Sequence, residues 1–235
     1  NDFCDSGKAC HRQVTDSAGT RVRGDFTIEI ETNKNFILRD EEGAADMWTI
    51  DPDAASPNAM YTIASGYRMR KSIWFGAGAL STDGTQCAAP AEVTINSGPK
   101  IWTIICADND ASSIYGSVKM PDSWDGGTVT FAHVYIQTAA DTSALNGDIA
   151  CQARANGEAP TSTYGTEVAI DDAAVTGSNK NDITTSAAVT CNGTPAGGNM
   201  LYWRYQLDAA GTTTAVATLH NVGFTMEYTV SSLSD

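Results

Sequence analysis

The stretch IWTIICADNDASSIYGSVKMPDSWDGGTVTFAHVYIQ, residues 101–137, gathers the acidic side chains whose types and spacing could do chemistry: Asp108, Asp110, Asp122 and Asp125. Carboxylates at alternate positions are what a Ca²⁺ loop uses, and two carboxylates flanking a sugar-sized cleft are what a glycosidase uses. ADNDASS supplies Asp108 and Asp110 as candidate Ca²⁺ ligands. It lacks the mid-loop Gly and the closing Glu of an EF-hand. Acidic pairs recur throughout the chain, so a glycosidase pair cannot be singled out from them. Asp also favours turns, because its carboxylate bonds to nearby backbone and tolerates left-handed conformations. The cluster therefore reads first as punctuation between strands, second as a Ca²⁺ site and last as a catalytic pair.

Other nucleophile and metal signatures are missing. His11, His133 and His220 are far apart, and no H-E-x-x-H, G-x-S-x-G or phosphate-binding glycine loop occurs. His133 shares a strand face with Val129, Phe131 and Tyr135, which is the pattern of a core or interface histidine. No catalytic residue is assigned, and the expected protein is not an enzyme. Trp48, Trp74, Trp102, Trp124 and Trp203, with the tyrosines, could instead form a sugar-stacking platform. Trp102 and Trp203 sit inside apolar runs and read as core. Trp124, in the PDSWDGG turn, is the candidate glycan contact, although so large an apolar ring more often packs at the mouth of the sandwich. Arg23-Gly24-Asp25 matches an integrin tripeptide but leads straight into a strand, and Asn192-Gly193-Thr194 is a candidate glycosylation acceptor.

The elements that must position these residues are strands. Thr and Val are frequent, Leu is uncommon, and Gly, Asn, Asp and Ser clusters recur about every ten residues. In VGFTMEYTV, Val222, Phe224, Met226, Tyr228 and Val230 alternate with polar or small residues, as a half-buried antiparallel strand requires. MLYWRYQL places Leu201, Trp203, Tyr205 and Leu207 on one face and Met200, Tyr202, Arg204 and Gln206 on the other. Further strands are expected at Thr128 to Gln137, Asp148 to Arg154, Gly165 to Ile170 and Thr184 to Thr190. The fold expected is all-β: an antiparallel β-sandwich of jelly-roll type over residues 100–235, preceded by an N-terminal arm and small β-rich region over residues 1–99. Within that arm, Phe26, Ile28 and Ile30 of FTIEIE form a strand that either pairs within its own chain, the first reading, or acts as a candidate assembly strand that adds to the sheet edge of a neighbouring copy.

Composition bounds the partners. The 235 residues carry a net charge of -14, which repels phosphate backbones and anionic lipid alike. No run approaches the length of a transmembrane helix. The chain opens on Asn1 and not Met, and no basic-then-apolar leader follows, so either a leader was removed or Asn1 is a chosen starting point. Six cysteines (Cys4, Cys10, Cys87, Cys106, Cys151, Cys191) include no C-x-x-C pair, so they read as disulfides formed in an oxidising, extracellular setting. Sequence order suggests Cys4–Cys10, Cys87–Cys106 and Cys151–Cys191.

From about Ile73 to the end, the chain resembles a family of uncharacterised structural (virion) proteins of environmental and marine tailed phages. The resemblance is carried by the MP-x-x-W-D-x-G-T-V-T-F turn at Met120–Phe131, the IDD segment at Ile170–Asp172, and a closing pair of strands at Trp203–Asp208 and Ala217–Tyr228. It implies a jelly-roll-like subunit that binds copies of itself in a virion, as a decoration, fibre or tail part, with no catalytic residues. Two alternatives stand beside it: a subunit of a secreted filament or tube assembled by strand addition, and a carbohydrate-binding module that recognises surface glycans.

Overall fold

The computed structural model describes residues 36–39, 46–50, 61–63, 69–84, 87–106, 112–137, 144–172, 179–207 and 219–231, with side chains from Met69 onward. The strands in chain order are β1 (Phe36–Arg39), β2 (Asp46–Ile50), β3 (Tyr61–Ile63), β4 (Met69–Gly76), β5 (Ser81–Thr82), β6 (Ala91–Thr94), β7 (Lys100–Cys106) and β8 (Ser113–Lys119). They continue as β9 (Thr130–Gln137), β10 (Gly147–Arg154), β11 (Val168–Ala169), β12 (Asn181–Thr185), β13 (Asn192–Gly193), β14 (Met200–Leu207) and β15 (Leu219–Val230). One short 3-10 turn, Ala77–Ala79, separates β4 from β5.

β1, β2 and β3 form a three-stranded antiparallel sheet. The remaining strands form two sheets. Sheet I runs β11-β10-β14-β8-β5, with β13 beside β10, and sheet II runs β12-β9-β15-β7-β6, with β4 beside β15. From β7 to β10 the chain crosses from one sheet to the other at every step, and it crosses again from β14 to β15. The result is an antiparallel β-sandwich of jelly-roll type. β4, β5 and β6 are hydrogen-bonded to β15, β8 and β7 respectively, so these strands, which the sequence reading gave to the N-terminal region, are built into the sandwich.

Alternation explains why these strands pack. In β14 the buried residues are Leu201, Trp203, Tyr205 and Leu207, and every residue between them is half-buried. Trp203 carries the contact between sheets. Its ring lies 5.4 Å from Phe75, 5.5 Å from Phe131 and 5.0 Å from Phe224, all on sheet II. Each such pair adds about 0.5–1.5 kcal/mol beyond the area it buries.

β15 departs from the expected single alternation. Asn221 pairs with Tyr135 and Gly223 with Val134, leaving Val222 as the extra residue of a β-bulge. The bulge shifts the phase, so Leu219 and Asn221 face inward along with Phe224, while Val222 is only half-buried. Asn221 is thereby turned into the core. Its Nδ2 donates to the Ile104 carbonyl at 2.9 Å, and its Oδ1 accepts from His133 Nε2 at 2.8 Å.

Two disulfides each tie a connecting segment to a strand, β7 in one case and β10 in the other. Cys87 is bonded to Cys106, across 19 residues, and Cys151 to Cys191, across 40. These are two of the pairs that sequence order suggests. β12 lies at Asn181–Thr185, N-terminal to the expected Thr184–Thr190 strand, and β11 keeps only Val168 and Ala169 of the expected Gly165–Ile170 run.

Candidate functional site

The outer face of sheet I carries a cleft of about 310 Å³. Its walls come from four separate segments: the 78–81 stretch that leads into β5, Tyr115 and Ser117 on β8, Tyr202 on β14, and Tyr164 on the β10–β11 connection. Strand alternation places the first two tyrosines there. Tyr115 and Tyr202 point away from the core because Ile114 and Trp203, their neighbours in sequence, point into it. Gly116, paired with Trp203 across the strands, also lines the cleft. A Cβ at Gly116 would lie 2.3 Å from the Trp203 indole, so only glycine fits at this point.

Tyr164 is held by the segment that bears it. Gln152, the cross-strand neighbour of Tyr202, donates to the Thr161 carbonyl at 2.7 Å and accepts from the Thr161 N–H at 3.1 Å. Arg154 adds a bond to Thr161 Oγ1 at 2.9 Å, and the Gly165 N–H donates to the Cys151 carbonyl at 2.8 Å. Arg204 stacks over the Tyr164 ring at 5.2 Å and is hydrogen-bonded to Glu167 in an ion pair. Burial pushes the Tyr164 phenol above its ordinary pKa, against a Gln152 hydrogen bond that lowers it; Tyr115 raises it further and Arg204 opposes that. Tyr164 therefore stays a neutral donor at physiological pH. The cleft presents three phenol rings with polar rims, backed by a guanidinium, a carboxylate and an amide.

The buried titratable groups lie elsewhere. His133 is fully buried, its ring stacked on Phe224 at 4.5 Å, and burial lowers its pKa to about 3 despite the Asn221 hydrogen bond. It is the core histidine that strand position indicated. His220 Nδ1 lies 3.2 Å from Thr103 Oγ1, but both residues are buried, and burial lowers the pKa of His220. Tyr135 donates to Asp172 at 2.8 Å, and its pKa is raised chiefly by burial. None of these groups lines the cleft.

The structure places three of the tryptophans and corrects the reading of Trp102. Trp124, the candidate glycan contact, is only 3% exposed and belongs to the core cluster, in line with the packing alternative for so large a ring. Its backbone is held between Pro121 and Val230, which turns the ring inward. Trp102, expected in the core, is 50% exposed, and its indole lies against Gly78, a residue of the cleft wall. Trp203 is core, as expected.

Asp125 is turn punctuation. Its Oδ1 accepts from the Gly127 N–H at 2.7 Å, and its Oδ2 accepts from the Thr229 hydroxyl. Asn192 Nδ2, the atom a glycan would occupy, donates to the Thr163 carbonyl at 3.1 Å. Asp108 and Asp110, Cys4 and Cys10, His11, the Arg23-Gly24-Asp25 tripeptide, and Phe26, Ile28 and Ile30 lie outside the described residues. Among the described residues, no group of three or more His, Cys, Asp or Glu side chains is placed to hold a metal ion. No helix among them is long and apolar enough to cross a membrane.

No protein-family model matches the sequence, and no curated protein does. Solved structures are similar at the level of overall shape. A Paenibacillus sp. cycloisomaltooligosaccharide glucanotransferase, complexed with cycloisomaltoheptaose, aligns with 65% of this chain at 12% identity and a TM-score of 0.40. This chain spans only 18% of that enzyme's length. A family 35 carbohydrate-binding module from Clostridium thermocellum aligns over 70% of this chain and 99% of its own, at 11% identity and a TM-score of 0.38. The carbohydrate-binding module CBM36, in complex with calcium and xylotriose, aligns over 66% and 97% respectively, at 9% identity and a TM-score of 0.36. Likenesses this distant carry no argument about activity or ligand.

Proposed function

We propose that this chain is a non-catalytic carbohydrate-binding β-sandwich whose ligand site is the Tyr115–Tyr164–Tyr202 cleft. The observation that carries the reading is the convergence of three tyrosines from three segments on one cleft of about 310 Å³, with Arg204, Glu167 and Gln152 behind them. A pyranose ring has an apolar C–H face and a rim of hydroxyls. A phenol has the matching parts, an apolar ring and a polar tip, and loses little side-chain freedom on binding. The cleft volume falls at the small end of ligand pockets, enough for one or two sugar rings. Two disulfides support an oxidising, extracellular setting, where polysaccharides and surface glycans are met.

Calorimetric titration with soluble xylo-, gluco-, manno- and galacto-oligosaccharides tests this. At least one series should bind saturably. Tyr202→Ala should weaken it about tenfold, the loss of one stacking contact, with an unchanged melting midpoint. If no series binds, or if Tyr202→Ala binds as well as the parent, the cleft is not the site.

A further inference from the structure

We infer that the outer face of sheet II is a second carbohydrate surface, built for an extended, unbranched, neutral glycan chain, with Trp74 as its stacking platform. This surface shares no residue with the tyrosine cleft and stands on separate observations. Trp74 is 52% exposed and follows the strand alternation that sends its neighbour Phe75 into the core. Gly76 and Gly223 are paired across β4 and β15, and the indole lies over this pair. A Cβ on Gly223 would come within 2.7 Å of the Trp74 ring, and one on Gly76 within 3.3 Å of its Nε1. The two glycines make a floor against which a large ring rests flat, leaving its opposite face to solvent. An aromatic ring fixed from below loses no further freedom when a sugar stacks on it.

The surface continues from Trp74 along the strands. Register places Thr225 opposite Trp74, Glu227 opposite Ser72 and Thr229 opposite Arg70 on β4, and Glu227 opposite Thr130 on β9. At the far end, Arg70, Thr128, Thr130, Glu227 and Thr229 line a cavity of about 170 Å³. Trp74 and Arg70 are four residues apart on one strand, about 14 Å at the rise of an extended chain. That is longer than a single pyranose ring, so the track fits several linked rings. One end stacks and the other offers a guanidinium, a carboxylate and threonine hydroxyls, which suit vicinal diols. A protein partner with a continuous apolar face would bury these polar groups without satisfying them. A polyhydroxylated chain answers each one. Arg70 and Glu227 carry opposite charges, so the track has no single sign and matches a neutral chain.

Tryptophan emission with single-tryptophan variants reads this surface, because among the described residues Trp124 and Trp203 are buried while Trp74 and Trp102 are half exposed. The full chain is titrated with linear hexasaccharides of glucose, xylose, mannose and galactose. At least one should shift the emission to the blue as sugar covers the indole. The shift should persist in Tyr202→Ala and in Trp102→Phe, and vanish in Trp74→Phe, which keeps a ring over the glycine floor. Arg70→Ala and Glu227→Gln should each weaken binding about fivefold, the worth of one hydrogen bond. No shift with any hexasaccharide, or a shift that survives Trp74→Phe, overturns the inference. So does light scattering that shows self-association through Trp74 accounting for the shift. Calorimetric loss in Tyr202→Ala judges the cleft and emission in Trp74→Phe judges this face, so failure of one is read apart from failure of the other.

Discussion

The two sheets share one core but present unlike outer faces. Sheet I is overlaid by the 155–167 segment, and the overlay turns a strand surface into a walled cleft bounded by Tyr164. Among the described residues, sheet II has no comparable cover over Trp74, which is half exposed on its glycine pair. The first surface depends on how a long connection is tied down; the second depends only on strand register. Perturbing the core should therefore harm both faces, whereas perturbing the ties should harm the cleft alone.

The largest effect is expected from Trp203→Ala. Trp203 is fully buried between the sheets, and emptying its site should cost about 3–5 kcal/mol in chemical denaturation. Both faces should lose their ligands together; retention of either would break the claim of a shared core. Acid should act through the same centre. His133 has a folded pKa of about 3, below its ordinary 6.5. The unfolded chain therefore takes up a proton that the folded one refuses. Stability is full above about pH 6.5 and falls as pH drops toward 3, by about 1.4 kcal/mol per pH unit within that window. His133→Gln should flatten this slope when melts are repeated between pH 7 and 4.

Removing the Cys151–Cys191 bond sharpens the contrast. Replacing both with serine should cost about 2–4 kcal/mol and raise amide exchange across 155–167 more than across β4. Equal exchange on both faces would show that the disulfide supports the sandwich generally and not the cleft. The smallest effect belongs to Glu167→Gln. The Arg204–Glu167 pair is partly exposed, so its loss should change stability by less than about 1 kcal/mol. It should still weaken sugar binding at the cleft if Arg204 needs its carboxylate to stay over Tyr164.

Several features were legible in the sequence because they are local. The alternation of MLYWRYQL is the burial pattern of β14, since side chains in a strand point to opposite faces in turn. Asp125 is a turn residue because its carboxylate reaches the N–H two residues on, whatever the rest of the chain does. The outward placement of Tyr202 and Arg204 could be read from the same alternation.

Other features depend on contacts remote in sequence. The bulge at Val222 is invisible in VGFTMEYTV, because an extra residue is defined only by what the neighbouring strand places opposite it. The exposure of Trp124 and Trp102 was settled for a related reason. A ring in a polar turn is buried when the turn folds back on the sandwich, as Trp124 does beside Val230. A ring in an apolar run is left half exposed where the described residues do not cover its strand, as at Trp102.

Amino-acid order alone determined a β-rich chain with inward and outward faces, acidic turns and cysteines suited to disulfides, because periodicity, turn chemistry and thiol spacing act over a few residues. Only the tertiary structure decided which aromatic rings meet. Tyr115, Tyr164 and Tyr202 share a cleft because antiparallel pairing of β14 with β8 and with β10, and the bonds from Gln152 to Thr161, bring distant segments to one face. Proximity of that kind is a property of register and connection, which no local stretch encodes.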